Sequence, residues 1–87
     1  GLNTSKNVMV ITNQPEEVRR ILLNDIDRGV TIFKGSGGYT DEDRKVLMCV
    51  VQQNEFSKTT RAVNSIDPDA FVIAMNATEV PGEGFKR

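Results

Sequence analysis

Four strand-length apolar runs, interleaved with two segments of helical spacing in the order β-α-β-β-α-β, predict an α+β fold. The simplest arrangement with that order is the ferredoxin-like sandwich: one four-stranded antiparallel sheet with both helices on one face and the first and third strands central. Two further observations agree. Turn-forming residues fall between these segments rather than inside them. At 87 residues the chain is one small domain, with room for six short elements and a thin core.

The elements read in order as follows. Asn7–Thr12 is a short apolar run of strand length, and the polar residues 1–6 read as a linker ahead of a single domain over 7–87. Asn13 and Gln14 then lead into Pro15, Glu16 and Glu17. Asn can cap, Pro fits the first turn, and the acids face the positive end of the helix dipole. Val18, Ile21, Leu22 and Ile26 repeat at helical spacing to about Asp27, with Gly29 as the expected stop. Asp25 lies close to that apolar face, which suggests a fraying helix end or a pairing with Arg28. Val30–Lys34 is β-branched and aromatic, a second strand; Gly35–Asp43 is loop; Lys45–Gln53 is a third strand. Asn54 is placed to cap a second helix carrying Phe56, Thr60, Val63 and Ile66 on one face. Asp67-Pro68-Asp69 is a turn, Ala70–Met75 a fourth strand, and the segment from Asn76 reads as irregular.

An antiparallel sheet with one solvated face alternates apolar and polar residues. The first, third and fourth strands do not: MVI, VLMCVV and AFVIAM are apolar on both faces. Either short strands leave a few apolar side chains in water, or the face without helices is covered. The second alternative predicts a homo-oligomer, dimer or trimer, through the open sheet face, or docking onto another part of a longer protein.

Composition removes several functions. Eleven basic against 12 acidic residues leave a net charge of −1, which offers no electrostatic basis for a nucleic-acid polymer as partner. The third strand, VLMCVV, has none of the aromatics on which RNA-binding domains of this strand order stack bases. There is no histidine, so the usual general base and the commonest metal ligand are missing. Cys49 lies inside an apolar run, as an inert buried thiol would. Asp41-Glu42-Asp43 lacks the alternate spacing of a calcium loop, and Thr40 with Asp43 reads as a turn cap. No nucleophile elbow, phosphate-binding lysine loop or metal-ligand cluster is present, so neither catalysis, a metal nor a cofactor is expected. The longest apolar runs, Val46–Val51 and Ala70–Met75, are far shorter than the ~20 residues of a membrane helix.

What remains are two Gly-rich segments, each with one ring and flanking cations. Phe33, Phe56 and Phe71 fall on strand or helix faces and read as core. Tyr39 lies in the loop of Gly35, Gly37, Gly38 and Thr40, flanked by Arg28, Lys34 and Arg44; Phe85 lies in Gly82-Glu83-Gly84-Phe85-Lys86 near the C-terminus. Glycines bring backbone N–H groups close to a ligand, rings stack on planar groups, and cations meet phosphate or carboxylate. Together they suit a small anion or a nucleotide-like ligand. The competing reading is a plain hairpin loop with Tyr39 packed on its own base, and a Phe85 that anchors the tail.

The chain resembles the C-terminal domain of YitT-family bacterial membrane proteins. The resemblance rests on Arg28–Thr31 (RGVT), Gly37–Thr40 (GGYT), the apolar strand and Glu-started helix over Val46–Glu55, Asp67–Phe71 (DPDAF) and Gly82–Lys86 (GEGFK). It covers Val8 to Arg87 and implies membrane helices upstream, with this domain on the cytoplasmic side of the bacterial inner membrane. It also implies a fold similar to PII signalling proteins, trimers that bind nucleotides in clefts between subunits through the corresponding two loops. The chain departs from that pattern in its shorter loop and in SIDPDA before the fourth strand. The expected function is a non-catalytic sensor or regulatory domain. The alternatives are a structural oligomerisation module without ligand, and an amino-acid sensor of the ACT type.

Overall fold

The computed structural model describes residues 3–80. The elements are β1 (Asn3–Ile11), α1 (Pro15–Asn24), β2 (Thr31–Ser36), β3 (Asp43–Gln52), a 3-10 turn (Gln53–Glu55), α2 (Phe56–Ile66) and β4 (Phe71–Glu79). The four strands form one antiparallel sheet in the order β2-β3-β1-β4, the ferredoxin-like arrangement with β1 and β3 central.

Register divides the side chains between the two faces. Val8 opposes Cys49 and Val10 opposes Leu47, and all four are buried beneath the helices with Val51. From above, Val18, Leu22, Ile26 and Val63 complete the core. Burying each such side chain contributes on the order of 1.5–3 kcal/mol. Thr59 is also fully buried, and its hydroxyl donates to the Glu55 carbonyl oxygen at 2.8 Å, so it brings no orphaned donor inside.

The opposite face has no helix over it. Phe33, Val46, Ile11 and Phe71 form one cross-strand row there, Met48, Met9 and Ile73 the next, and Val50 and Met75 flank Asn7 in a third. Phe33, Phe71, Ile73 and Met75 are exposed. The expectation that Phe33 and Phe71 are core is therefore corrected. Phe33 pairs with Val46 rather than Leu47, which puts it on the open side; of the three phenylalanines assigned to the core, only Phe56 packs against it. Asn7 Oδ1 is buried without a hydrogen-bond partner among the described residues. Such an atom costs about 1–3 kcal/mol.

Several element ends also differ from the sequence reading. β1 starts at Asn3, so residues 3–6 are strand rather than linker, and β4 runs on to Glu79 rather than stopping at Met75. Each extension supports the other: Lys6 pairs with Asn76, Ser5 with Ala77 and Thr4 with Thr78. The hairpin loop shortens because Gly35 and Ser36 pair with Arg44 and Asp43. α1 ends at Asn24, five residues before Gly29, and Asp27 in the connection takes a left-handed φ of 59°. Asp25 is thus a C-cap, and Arg28 pairs with Glu55 instead. Neither asparagine caps as expected: Gln14 precedes α1, while Gln52 and Glu55 form a capping box at the 3-10 turn.

Candidate functional site: a notch at the hairpin end of the sheet

The β2–β3 hairpin overhangs the end of β1, because β3 starts three residues before Val46 meets Ile11. This step in the sheet leaves a notch of about 760 Å³, within the size range of small-molecule sites. Its floor is the end of β1 and the entry to α1 (Ile11, Thr12, Asn13, Pro15) with Phe71 at the start of β4. The hairpin forms one wall through Lys34, Gly35 and Glu42–Lys45; Asp67 and Asp69 from the α2–β4 turn contribute the rest.

Most of the polar groups on the floor are engaged. The Thr12 hydroxyl donates to Asp67 Oδ2 at 2.6 Å and accepts the Gln14 N–H at 3.0 Å. Asp67 also accepts the Asn13 N–H at 3.3 Å and, through Oδ1, the Asp69 N–H at 3.0 Å. The Thr12 hydroxyl, aided by the two N–H groups, holds the Asp67 carboxyl below its ordinary value despite the opposing effect of burial. Asp67 is therefore the ionised tie that joins the β1–α1 and α2–β4 turns. On the hairpin wall Lys45 reaches Glu16 at 3.2 Å. Lys34 faces Lys45 across the ladder, and like charges so placed repel. Neither Lys34 nor Arg44 has a carboxylate within salt-bridge distance among the described residues. A Cβ at Gly35 would meet nothing within 4 Å, so the wall stays open beside Arg44. The Phe71 ring is 61% exposed. The register sets these two cations on opposite faces of the hairpin, Lys34 on the helix side with Lys45 and Arg44 on the open side with the accessible Phe71 ring, so they flank the notch from either side.

The structure brings together only part of the sequence-predicted set. Lys34, Gly35 and Arg44 line the notch. Gly37, Gly38, Tyr39 and Thr40 form the hairpin tip beyond it. That tip is closed by the Gly37 N–H on the Glu42 carbonyl at 2.8 Å and the Asp41 N–H on the Gly37 carbonyl at 2.9 Å. Thr40 accepts the Glu42 N–H at 3.2 Å within a turn that starts no helix. Tyr39 is fully exposed, so it is not packed on the hairpin base. Arg28 is at the opposite end of the sheet, its Nη2 on Glu55 Oε1 at 3.0 Å. There, burial tends to raise the Glu55 carboxyl, but the Arg28 hydrogen bond and the Gln52 N–H outweigh it and hold the group low. Gly82, Glu83, Gly84, Phe85 and Lys86 lie outside the described residues.

Thr12, Asp67 and Phe71 were not singled out as site residues from sequence. Asp67 was visible there only as turn chemistry, and its link to Thr12 spans 55 positions. The Cys49 thiol is buried and pushed up to about 11, chiefly by burial, as an inert core thiol requires. Among the described residues no group of three or more His, Cys, Asp or Glu could hold a metal, and no helix is long and apolar enough to cross a membrane.

Comparison with known proteins adds the family. The chain is 58% identical over 87 residues to an uncharacterized protein in the cccA 5′ region of Bacillus sp. (strain PS3). It is 54% identical over 87 residues to the UPF0750 membrane protein YvjA of Bacillus subtilis (strain 168). All of the chain matches in both cases, but it spans only 58% and 31% of their respective lengths. Among solved structures, a DUF2179 protein from Eubacterium ventriosum superposes with TM-score 0.70 at 26% identity, covering 84% of this chain and 99% of that one. CPII from Thiomonas intermedia K12, whose structure is bound to ADP, AMP and acetate, superposes with TM-score 0.75 at 15% identity over 93% of each chain, a likeness of fold. The family of uncharacterized proteins conserved in bacteria, DUF2179, matches residues 28–82. The chain thus shares its fold with PII-like proteins and belongs to the DUF2179 family, with relatives among the UPF0750 membrane proteins, YitT included.

Proposed function

We propose that this chain is a non-catalytic regulatory domain of a bacterial membrane protein, on the cytoplasmic side of the inner membrane, that takes a small anionic or nucleotide-like ligand in the notch. The observation that carries this reading is a notch lined by Lys34 from the helix side, by Arg44 from the open side, both without carboxylate partners among the described residues, and by the exposed ring of Phe71. A phosphate or carboxylate seated in the notch meets a cation from each side of the hairpin, and a planar group lies against the ring on the open side. Loss of Lys34–Lys45 repulsion on anion binding favours the liganded hairpin, which is how ligand state reaches the rest of the protein. The ADP and AMP bound to CPII lend support at the level of fold.

The wider predicted set fits this reading only across copies. From the level of Glu79, paired with Asn3, to that of Asp43 is about 36 Å at ~3.3 Å per residue. The six residues from Glu79 to Phe85 span at most about 21 Å. A site that uses Tyr39 and Thr40 together with Gly82, Glu83, Gly84, Phe85 and Lys86 therefore draws them from different chains.

The test is a thermal-shift and calorimetry panel of AMP, ADP, cyclic nucleotides, inorganic phosphate, bicarbonate and amino acids. A ligand at a hundredfold excess over its Kd adds about 2.7 kcal/mol, upward of roughly 10 °C for a domain this size. Lys34→Ala, Arg44→Ala and Phe71→Ala should each abolish the shift. A panel without any response, or a response untouched by these three changes, refutes the site.

A second reading, a structural assembly module, is favoured by a different observation: the nine apolar side chains of the open face. At ~4.8 Å between strands and ~3.3 Å per residue that face covers about 600 Å², so two copies hide about 1,200 Å², the lower bound of specific interfaces. Light scattering across the micromolar range tests it; a monomer throughout refutes assembly.

A further inference from the structure

Two polar residues of the central strand β1 lie on the open face, Ser5 and Asn7. The Ser5 hydroxyl is spent on Glu79 while Asn7 keeps an unpartnered amide oxygen, and we infer that Asn7 sets the number and register of copies that assemble there. The inference rests on the assembly reading above. Asn7 lies on β1, a central strand, between Val50 and Met75, with Met9 and its row on one side. Every charged side chain this face has among the described residues is at its margin: Arg44 beside the hairpin and Glu79 at the far end of β4, the latter bound by the Ser5 hydroxyl at 2.8 Å. The occupant of the face is therefore apolar and broad, with a single polar requirement near the middle.

A second copy of this chain meets that requirement. Asn7 Oδ1 is buried and lacks a donor within the described chain. An amide has donor and acceptor on one group, so symmetry-related Asn7 side chains satisfy one another. Two pair reciprocally; three close a head-to-tail ring. The terminal torsion of Asn is soft, so the amide turns Oδ1 outward without leaving its rotamer. An unrelated apolar partner would have to supply a donor at that one point. A single polar group in an apolar interface is also a known means of fixing register and copy number, because misaligned arrangements leave it unpaired.

The experiment is native mass spectrometry and light scattering on the wild type, Asn7→Val and Ile73→Asp, with side-chain amide exchange followed by NMR. The wild type should show one defined oligomer, with the Asn7 amide protons exchanging at least tenfold more slowly than those of exposed Asn64. Asn7→Val should still associate but into a mixture of stoichiometries. Ile73→Asp should be monomeric with a folded spectrum. If Asn7→Val forms the same single oligomer, or its amide exchanges freely in the wild-type oligomer, Asn7 is not the determinant even though assembly stands. If the wild type is monomeric, the assembly reading itself is overturned.

Discussion

Leu47 and Met48 are adjacent on β3 and point to opposite faces, so truncating each in turn measures what covers the two sides of the sheet. Leu47 is fully buried under the helices. Leu47→Ala removes that packing at a cost of about 3–5 kcal/mol. A domain of 87 residues has roughly 4–13 kcal/mol of stability in all. At about 4–8 °C per kcal/mol, Leu47→Ala lowers Tm by 12 °C or more, roughly, and brings the domain close to unfolding. Met48, on the open face between Met9 and Thr31, is half-buried in a single chain. There Met48→Ala loses only part of a side-chain transfer energy, about 1 kcal/mol. If copies cover the face, the same change approaches the cost of Leu47→Ala, and does so only where the protein is concentrated enough to assemble. Urea denaturation at low and high micromolar concentration separates the cases. Equal costs at the low concentration would refute the one-sided core. A Met48→Ala cost that ignores concentration would refute coverage by copies.

Folding favours the ionised forms of Glu55 and Asp67, both held below their ordinary values of 4.5 and 3.8. Their contribution is complete above about pH 5 and falls away as pH drops through the lower folded-state values; Glu55→Gln and Asp67→Asn should each flatten the acid limb of a Tm-versus-pH curve, and an unchanged limb would remove these carboxyls from the account. With a thiol at about 11 against an ordinary 9.0, Cys49 should react with a thiol reagent at pH 8 about a hundredfold more slowly in the native than in the denatured protein. Rapid native labelling would contradict its burial. Gly37→Ala places a Cβ 2.8 Å from Thr40 Oγ1 and should cost about 1 kcal/mol by denaturation, whereas Gly38→Ala should be silent; adding Thr40→Ala should recover most of the loss, and no recovery would put the strain elsewhere.

The order of elements was legible because each run keeps its period: Val18, Ile21 and Leu22 recur at helical spacing and VLMCVV at strand length. The strand ends were not. Asn3–Lys6 and Asn76–Glu79 have no apolar pattern of their own and become strand only by pairing with each other, a relation between residues more than seventy positions apart. The open face was legible as a surplus of apolar residues, yet which residues occupy it depends on register: Phe33 belongs there because it opposes Val46. The hairpin side of the site, Lys34, Gly35 and Arg44, could be read from local composition. Its floor could not, since Thr12, Asp67 and Phe71 meet only where three connections converge at one end of the sheet. Arg28, close to the hairpin in sequence, is separated from it by the length of β2.

β1 pairs with β4 from Asn3 onward and with β3 from Ser5 onward, nine residue pairs to the one and seven to the other. Any polypeptide joined ahead of it therefore pulls along the axis of a central strand. Both ladders are then loaded in shear, and their hydrogen bonds resist together rather than opening one at a time as they would at an edge. Such a tether moves the sheet as a rigid lever before it extracts the strand. Displacement at one end is delivered, with little loss to bending, about 36 Å away at the level of Asp43, where the hairpin turns.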